Sequence, residues 1–240
     1  MFYPYLAGLI DGDGCLYEYK RKNTSNKERG IFIANTYKPV LRYCQNCFGG
    51  HVRQCTPTKN VKYNQKPIYR WIVTHQLALQ VIPQIMPYLQ EKYDKAQLIW
   101  PECNQIEQKE ITKKEWTKYI AGFFDAEGCI HITKKIRDKK EYYCLAVTLV
   151  NTYKPIIEKI AVYYEKPIYI KKDKRNKKYK TLYLVNFINR QAKRVLKDIL
   201  PYLIIKKKKA EIAMEFPSRK HASQEEQRQF RNLINEKARR

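Results

Sequence analysis

The chain has 240 residues, 44% of them hydrophobic, enough to build the core of one large domain or two small ones. Forty-eight lysines and arginines against 23 acids leave a formal net charge of +25, and the basic residues lie in tyrosine-rich, strand-like segments rather than on an amphipathic helix, so the expected partner is nucleic acid rather than a membrane surface. Seven scattered cysteines favour reduced thiols over a disulfide framework, and no stretch resembles a signal peptide or nears the roughly 18 apolar residues of a membrane span.

In chain order, the first predicted element is a helix with Pro4 in its opening turn, where a missing N–H costs little. It runs through "YLAGLIDGDGC" (Tyr5 to Cys15) and ends on Asp11 and Asp13. A carboxylate there opposes the negative end of the helix dipole, at a cost of a few tenths to about 1 kcal/mol, so something else must stabilise it. Gly14, directly after, is the residue expected to take the left-handed conformation that closes a helix. Two strands follow by alternation, then "NTYKP" (Asn35 to Pro39) opening a second helix, two more strands, and two helices around "PYLQEKYDKA" (Pro87 to Ala96).

The same order then recurs. "YIAGFFDAEGC" (Tyr119 to Cys129) answers the first motif at an offset of 114 residues, "NTYKP" returns at Asn151 to Pro155, and "PYLIIKKKKA" spans Pro201 to Ala210. Thr112-x-x-Glu115 is a capping box for the second motif helix, and Ser223-x-x-Glu226 is one for a last amphipathic helix carrying Phe230, Leu233 and Ile234 on one face. Ile130 and Ile132 alternate with His131, Thr133 and Lys135, while Leu145, Val147 and Leu149 alternate with Ala146, Thr148 and Val150, which predicts antiparallel sheets with one buried face. The expected fold is α+β: two pseudo-symmetric αββαββα units, with subdomains at 1–100 and 115–216, a polar linker at 101–114 and a helical extension at 217–240.

Small residues Ala7, Gly8, Ala121 and Gly122 would let the two motif helices approach closely. Asp13 and Glu127, each followed by glycine, then become paired carboxylates. An all-oxygen pair suits Mg²⁺ better than zinc or copper, and with phosphate nearby it matches two-metal phosphodiester hydrolysis. A lone DGDG would be a turn; it is the second copy, with Asp13 answered by Glu127, that argues for chemistry. Cys44, Cys47, His51 and Cys55 have ligand types that suit zinc, but Cys44 and Cys47 correspond to Ile160 and Tyr163 in the other repeat, which argues for packing instead.

"LAGLIDGDG" and "IAGFFDAEG" resemble the two motif helices of the LAGLIDADG homing endonucleases, in the form that fuses both half-sites in one chain. The resemblance implies motif helices at the subdomain interface and two sheets forming a saddle over double-stranded DNA, with a monomer acting as a pseudo-dimer. It implies Mg²⁺-dependent cleavage of a long pseudo-palindromic site leaving 3′ overhangs, with Mn²⁺ substituting and Ca²⁺ supporting binding without efficient cleavage. Asp13 and Glu127 fall on the family's metal-binding acids, joined by backbone oxygens of Gly12 and Ala126, whereas Asp11 and Asp125 fall on the acid that supports the helix end. Lys92 and Lys206 fall on the lysine near the scissile phosphate. Asn35 and Asn151 fall on the residue that holds the water network, and each is equally a local cap for the next helix.

DNA contacts are expected from the outward sheet faces: Tyr17, Tyr19, Arg21, Arg53 and Arg70 in the first unit, and His131, Thr133, Lys135 and Arg137 in the second. The segment "KKDKRNKKYK" holds seven basic residues in ten, and its Lys171, Lys172, Lys174, Arg175, Lys177 and Lys178 are expected to follow the phosphate backbone. An RNA-binding intron maturase, acting on its own intron RNA, is the second function the same scaffold would allow. The absence of a visible targeting peptide fits synthesis inside an organelle, chloroplast or mitochondrion, if the chain is encoded there, and otherwise an intracellular place in the cytoplasm.

Overall fold

The computed structural model describes residues 2–20, 27–55, 66–172, 180–217 and 223–239. The chain forms two compact units that meet in sequence between Ala126 and Glu127. The first unit contains α1 (Tyr3–Asp13), β1 (Gly14–Lys20), β2 (Lys27–Asn35), α2 (Lys38–Phe48), β3 (His51–Gln54), β4 (Tyr69–Thr74), α3 (His75–Ile85), α4 (Tyr93–Ile99) and the body of α5 (Lys113–Glu127). Its strands form an antiparallel sheet of order β1-β2-β4-β3. The second unit has β5 (Gly128–Arg137), β6 (Lys140–Asn151), α6 (Lys154–Tyr163), β7 (Tyr169–Lys171), β8 (Leu182–Ile188), α7 (Arg190–Ile199), α8 (Lys207–Glu215) and α9 (Gln224–Arg239), with sheet order β5-β6-β8-β7. No helix among the described residues is long and apolar enough to cross a membrane.

Alternation sorts the core positions as the sequence predicts, except that Ile72 in β4 and Cys144 and Ala146 in β6, on the opposite face, are buried as well. In the first sheet Leu16, Ile31, Ile33, Trp71 and Val73 are fully buried beneath the helices, and Ile130, Ile132, Leu145, Val147 and Leu149 do the same in the second. The covering helices show stripes at i, i+3, i+4 and i+7, such as Ala192, Val195, Leu196 and Ile199 on α7. The motif helices are different, because burial is continuous from Pro4 to Asp11 in α1 and from Tyr119 to Asp125 in α5. A helix buried all round must be apolar or internally satisfied all round, which is why no charged residue stands between Pro4 and Ile10 or between Tyr119 and Phe124.

Both capping boxes form. Thr112 N donates to Glu115 Oε2 at 3.1 Å and Glu115 N to Thr112 Oγ1 at 3.3 Å, while Ser223 N donates to Glu226 Oε2 at 2.7 Å and Glu226 N to Ser223 Oγ at 3.2 Å.

Two expectations need correction. Gly14 is extended, at φ −86° and ψ 163°, and Gly128 has no positive φ either. The strand starts directly at the helix end and folds back over it, so a Cβ on Gly14 would lie 2.6 Å from Ile10 Cα; glycine is needed here for space, not for left-handed backbone. Leu233 is exposed, because the buried stripe of α9 is Gln227 and Ile234 with Phe230 set edge-on against Phe216, and Leu233 is one residue off it.

Candidate functional site

Helices α1 and α5 pack through their glycines. A Cβ on Gly8 would strike the Tyr119 carbonyl and come within 2.8 Å of Phe123 N, and one on Gly122 would strike the Tyr5 carbonyl and come within 3.0 Å of Leu9 N. The helices also exchange side-chain bonds: Tyr5 Oη donates to Asp125 Oδ2 at 2.6 Å, and Tyr119 Oη donates to Asp11 Oδ2 at 2.6 Å. Each bond is the other transposed by the repeat, which marks a local twofold relation between α1 and α5. The earlier acids Asp11 and Asp125 are thus buried and bonded across the helix pair. Burial lifts the Asp11 carboxyl above its ordinary range, against the pull of the Tyr119 hydroxyl and the backbone N–H groups.

Asp11 also organises the loop before α4. It accepts from Gln90 N at 2.7 Å and from Lys92 N at 3.0 Å. Lys92 lies at the start of α4, where its ammonium donates to the Ile10 carbonyl at 2.9 Å and to the Asp11 carbonyl. Two of its three donors thus cap orphan carbonyls at the end of α1, which favours a cation at that dipole end and leaves one N–H uncommitted. Lys206 takes the matching place before α8.

Asp13 is the last residue of α1 and half-exposed, and Asn35 Nδ2 donates to its Oδ2 at 3.0 Å. Asn35 Oδ1 meanwhile accepts from Tyr37 N at 2.8 Å, and Asn151 Oδ1 accepts from Tyr153 N at 2.7 Å. The two readings of Asn35 are therefore compatible: its carbonyl caps the next segment while its amide fixes the carboxylate. Glu127 is the last residue of α5, half-exposed, at the same step beyond Gly122 as Asp13 beyond Gly8. Among the described residues no three His, Cys, Asp or Glu side chains gather to hold a metal ion. Each motif end, taken by itself, offers a cation one carboxylate and backbone oxygens, donors of the all-oxygen kind that fits Mg²⁺. Cys44 is buried within α2, with its thiol pushed up by burial, while Cys47 and His51 are exposed and Cys55 is half-buried.

The outward face of the first sheet is a shallow depression lined by Tyr17, Tyr19, Phe32, Arg53 and Arg70 with Glu28 at its edge. Tyr17 and Tyr19 stack at 5.8 Å between ring centres, and Gly30 opposite Tyr17 leaves room for the ring, since a Cβ there would lie 2.6 Å from its hydroxyl. Phe32 was not singled out from sequence, although its place between the buried Ile31 and Ile33 puts it on this face. On the second sheet, His131 is half-buried with its pKa lowered by desolvation and then by Lys209, Thr133 Oγ1 donates to the Cys144 carbonyl at 3.2 Å, and Lys135 is exposed. Arg137 and Lys171 end β5 and β7, and Lys172 follows in the open. Arg21, Lys174, Arg175, Lys177 and Lys178 lie outside the described residues.

Residues 120–214 match the family described as LAGLIDADG endonuclease. A curated relative, the probable intron-encoded endonuclease aI2 of Debaryomyces hansenii, is 27% identical over 143 residues, which is 56% of this chain and 19% of that protein. Among solved structures, the LAGLIDADG meganuclease I-AabMI bound to uncleaved DNA superposes with a TM-score of 0.69 at 13% identity, covering 97% of this chain and 98% of that one. The I-SmaMI endonuclease bound to uncleaved DNA in the presence of calcium ions gives 0.59 at 14% identity, covering 98% of each chain. These likenesses give the fold of the whole chain.

Proposed function

We propose that the chain is a two-motif member of the LAGLIDADG endonuclease family and a site-specific DNA endonuclease, hydrolysing both strands of a long pseudo-palindromic duplex with a divalent cation; the family match over residues 120–214, the intron-encoded relative and the shared fold support this reading. The observation that carries this reading is Asp13, a carboxylate kept at the dipole-unfavourable end of a buried helix, oriented by Asn35 and repeated as Glu127. A protein that only bound nucleic acid would gain nothing from two such acids on a chain of net charge +25; that weighs against a pure maturase role.

Asp13 and Glu127, with the Gly12 and Ala126 carbonyl oxygens, would hold Mg²⁺. When bound, that ion lowers the pKa of a water and offsets charge on the phosphate. Asn35 keeps the Asp13 carboxylate from rotating away from its oxygen-donor role. Lys92 stabilises the end of α1, and its remaining N–H is suited to a phosphate oxygen as charge develops. Lys206 and Asn151 are assigned the same tasks in the second half of the site. The reading extends to short 3′ overhangs, to Mn²⁺ as a substitute and to Ca²⁺ as a binding-only ion. We place the repeat units at 1–100 and 115–216, joined by 101–114 and followed by 217–240. The intron-encoded description of the yeast relative supports an intron-borne, organellar origin.

The test is the double variant Asp13→Asn, Glu127→Gln on a cleaved site selected from random duplex DNA. Cleavage in Mg²⁺ is expected to vanish while binding in Ca²⁺ persists. Unimpaired cleavage would refute the assignment.

A further inference from the structure

We propose that Arg53 and Arg70 read guanines at neighbouring positions of the half-site under the first sheet, and that the half-site under the second sheet carries no matching pair. This rests on the DNA-binding reading above. Arg53 and Arg70 are directly opposed across β3 and β4, an arrangement of like charges that costs stability unless something accepts from both. Among the described residues nothing does: neither side chain makes a hydrogen bond or an ion pair with them, and Arg70 Nε is buried without a partner there. The Arg70 guanidinium instead lies over the Phe32 ring, its carbon 4.4 Å from the centre. Stacking fixes the plane of the fork, so little rotamer freedom is lost when its terminal nitrogens meet an acceptor pair. In a major groove the acceptor pair that matches a guanidinium fork is O6 and N7 of guanine.

The internal repeat supplies a control. At the positions matching Arg53, Arg70 and Phe32, the second sheet has Tyr169, Leu184 and Thr148, as the paired registers show. Thr148 Oγ1 donates to Asn186 Oδ1 at 3.0 Å, so the residue in the place of Phe32 is bonded within its own sheet. The same strand order forms in the second sheet without an arginine pair.

The experiment selects bound sequences from a randomised duplex library with the full chain in Ca²⁺, for wild type, R53A, R70A and R70K. Wild type is expected to enrich guanine at two neighbouring positions on one side only. R70A should relax one of them by about tenfold or more, and R53A the other, with the remaining positions unchanged. R70K keeps the charge but not the fork and is expected to relax the same position as R70A. Uniform weakening by R70A with every base preference intact would make Arg70 a phosphate contact and overturn the proposal, leaving the endonuclease reading in place. Enrichment of no sequence by wild type would overturn both. Because Arg70 faces Arg53 and its one described contact is the Phe32 ring, relief of repulsion offsets the lost stacking, and the melting temperature of R70A is expected to stay close to that of wild type; a large fall would show that the arginine serves the fold and count against the proposal.

Discussion

At Gly122 the second motif helix passes so near the backbone of Tyr5 and Leu9 that a single methyl has nowhere to go. The obstacle is backbone on a neighbouring helix, so relief requires the helices to part and the flanking Tyr5–Asp125 and Tyr119–Asp11 bonds to stretch. Gly122→Ala is therefore expected to destabilise the protein by about 1–3 kcal/mol despite alanine's better helix propensity, and Gly8→Ala by a similar amount, as read from thermal or denaturant unfolding. No loss in either would show that the helices are not held in this contact. The glycines and small residues are visible in the sequence as a motif. Their partners are not, because the tyrosine that satisfies Asp125 lies 120 residues away along the chain.

At the level of the helix, α5 begins with a cap that the four letters from Thr112 to Glu115 already predict. The structure adds what they omit: Lys109 donates to Glu115 at 2.7 Å and Tyr88 donates to it at 3.0 Å. The Lys109 bond is the leading reason that the Glu115 carboxyl is pushed down to about 2. A carboxylate with a depressed folded-state pKa adds stability above its unfolded pKa, near 4.3, and loses it as pH falls through the folded value. Glu115→Gln is thus expected to lower the melting temperature at neutral pH, with the deficit shrinking between about pH 4 and pH 2. A deficit constant over that range would show that the charge on Glu115 plays no part. The end of α1 was less legible. A glycine after an acid suggests a left-handed cap, but a strand that reverses at once over Ile10 demands space instead, and that demand comes from the β1 to β2 pairing.

For the molecule as a whole, charge sets the expectation. A chain of net charge +25 that displaces counterions from duplex DNA should lose affinity steeply with salt, with log affinity falling by about 0.9 per decade of salt for each phosphate contacted. Titrating binding from roughly 50 to 200 mM salt should reveal a drop of about a thousandfold if six or more phosphates are engaged. A nearly flat line would remove the polyanion from the account. Repetition, periodicity and charge were all readable in one dimension, since a duplicated motif, a period-two strand and an excess of lysine depend on the order of residues and nothing else. They yielded the α+β class, the two sheets, the capping boxes and the candidate acids. Which groups share a hydrogen bond depends instead on where distant segments meet. That is why the exchanged tyrosine–aspartate bonds, the Lys92 clamp on α1, the hold of Asn35 on Asp13, and the stacking of Arg70 on Phe32 emerged only once the chain was folded.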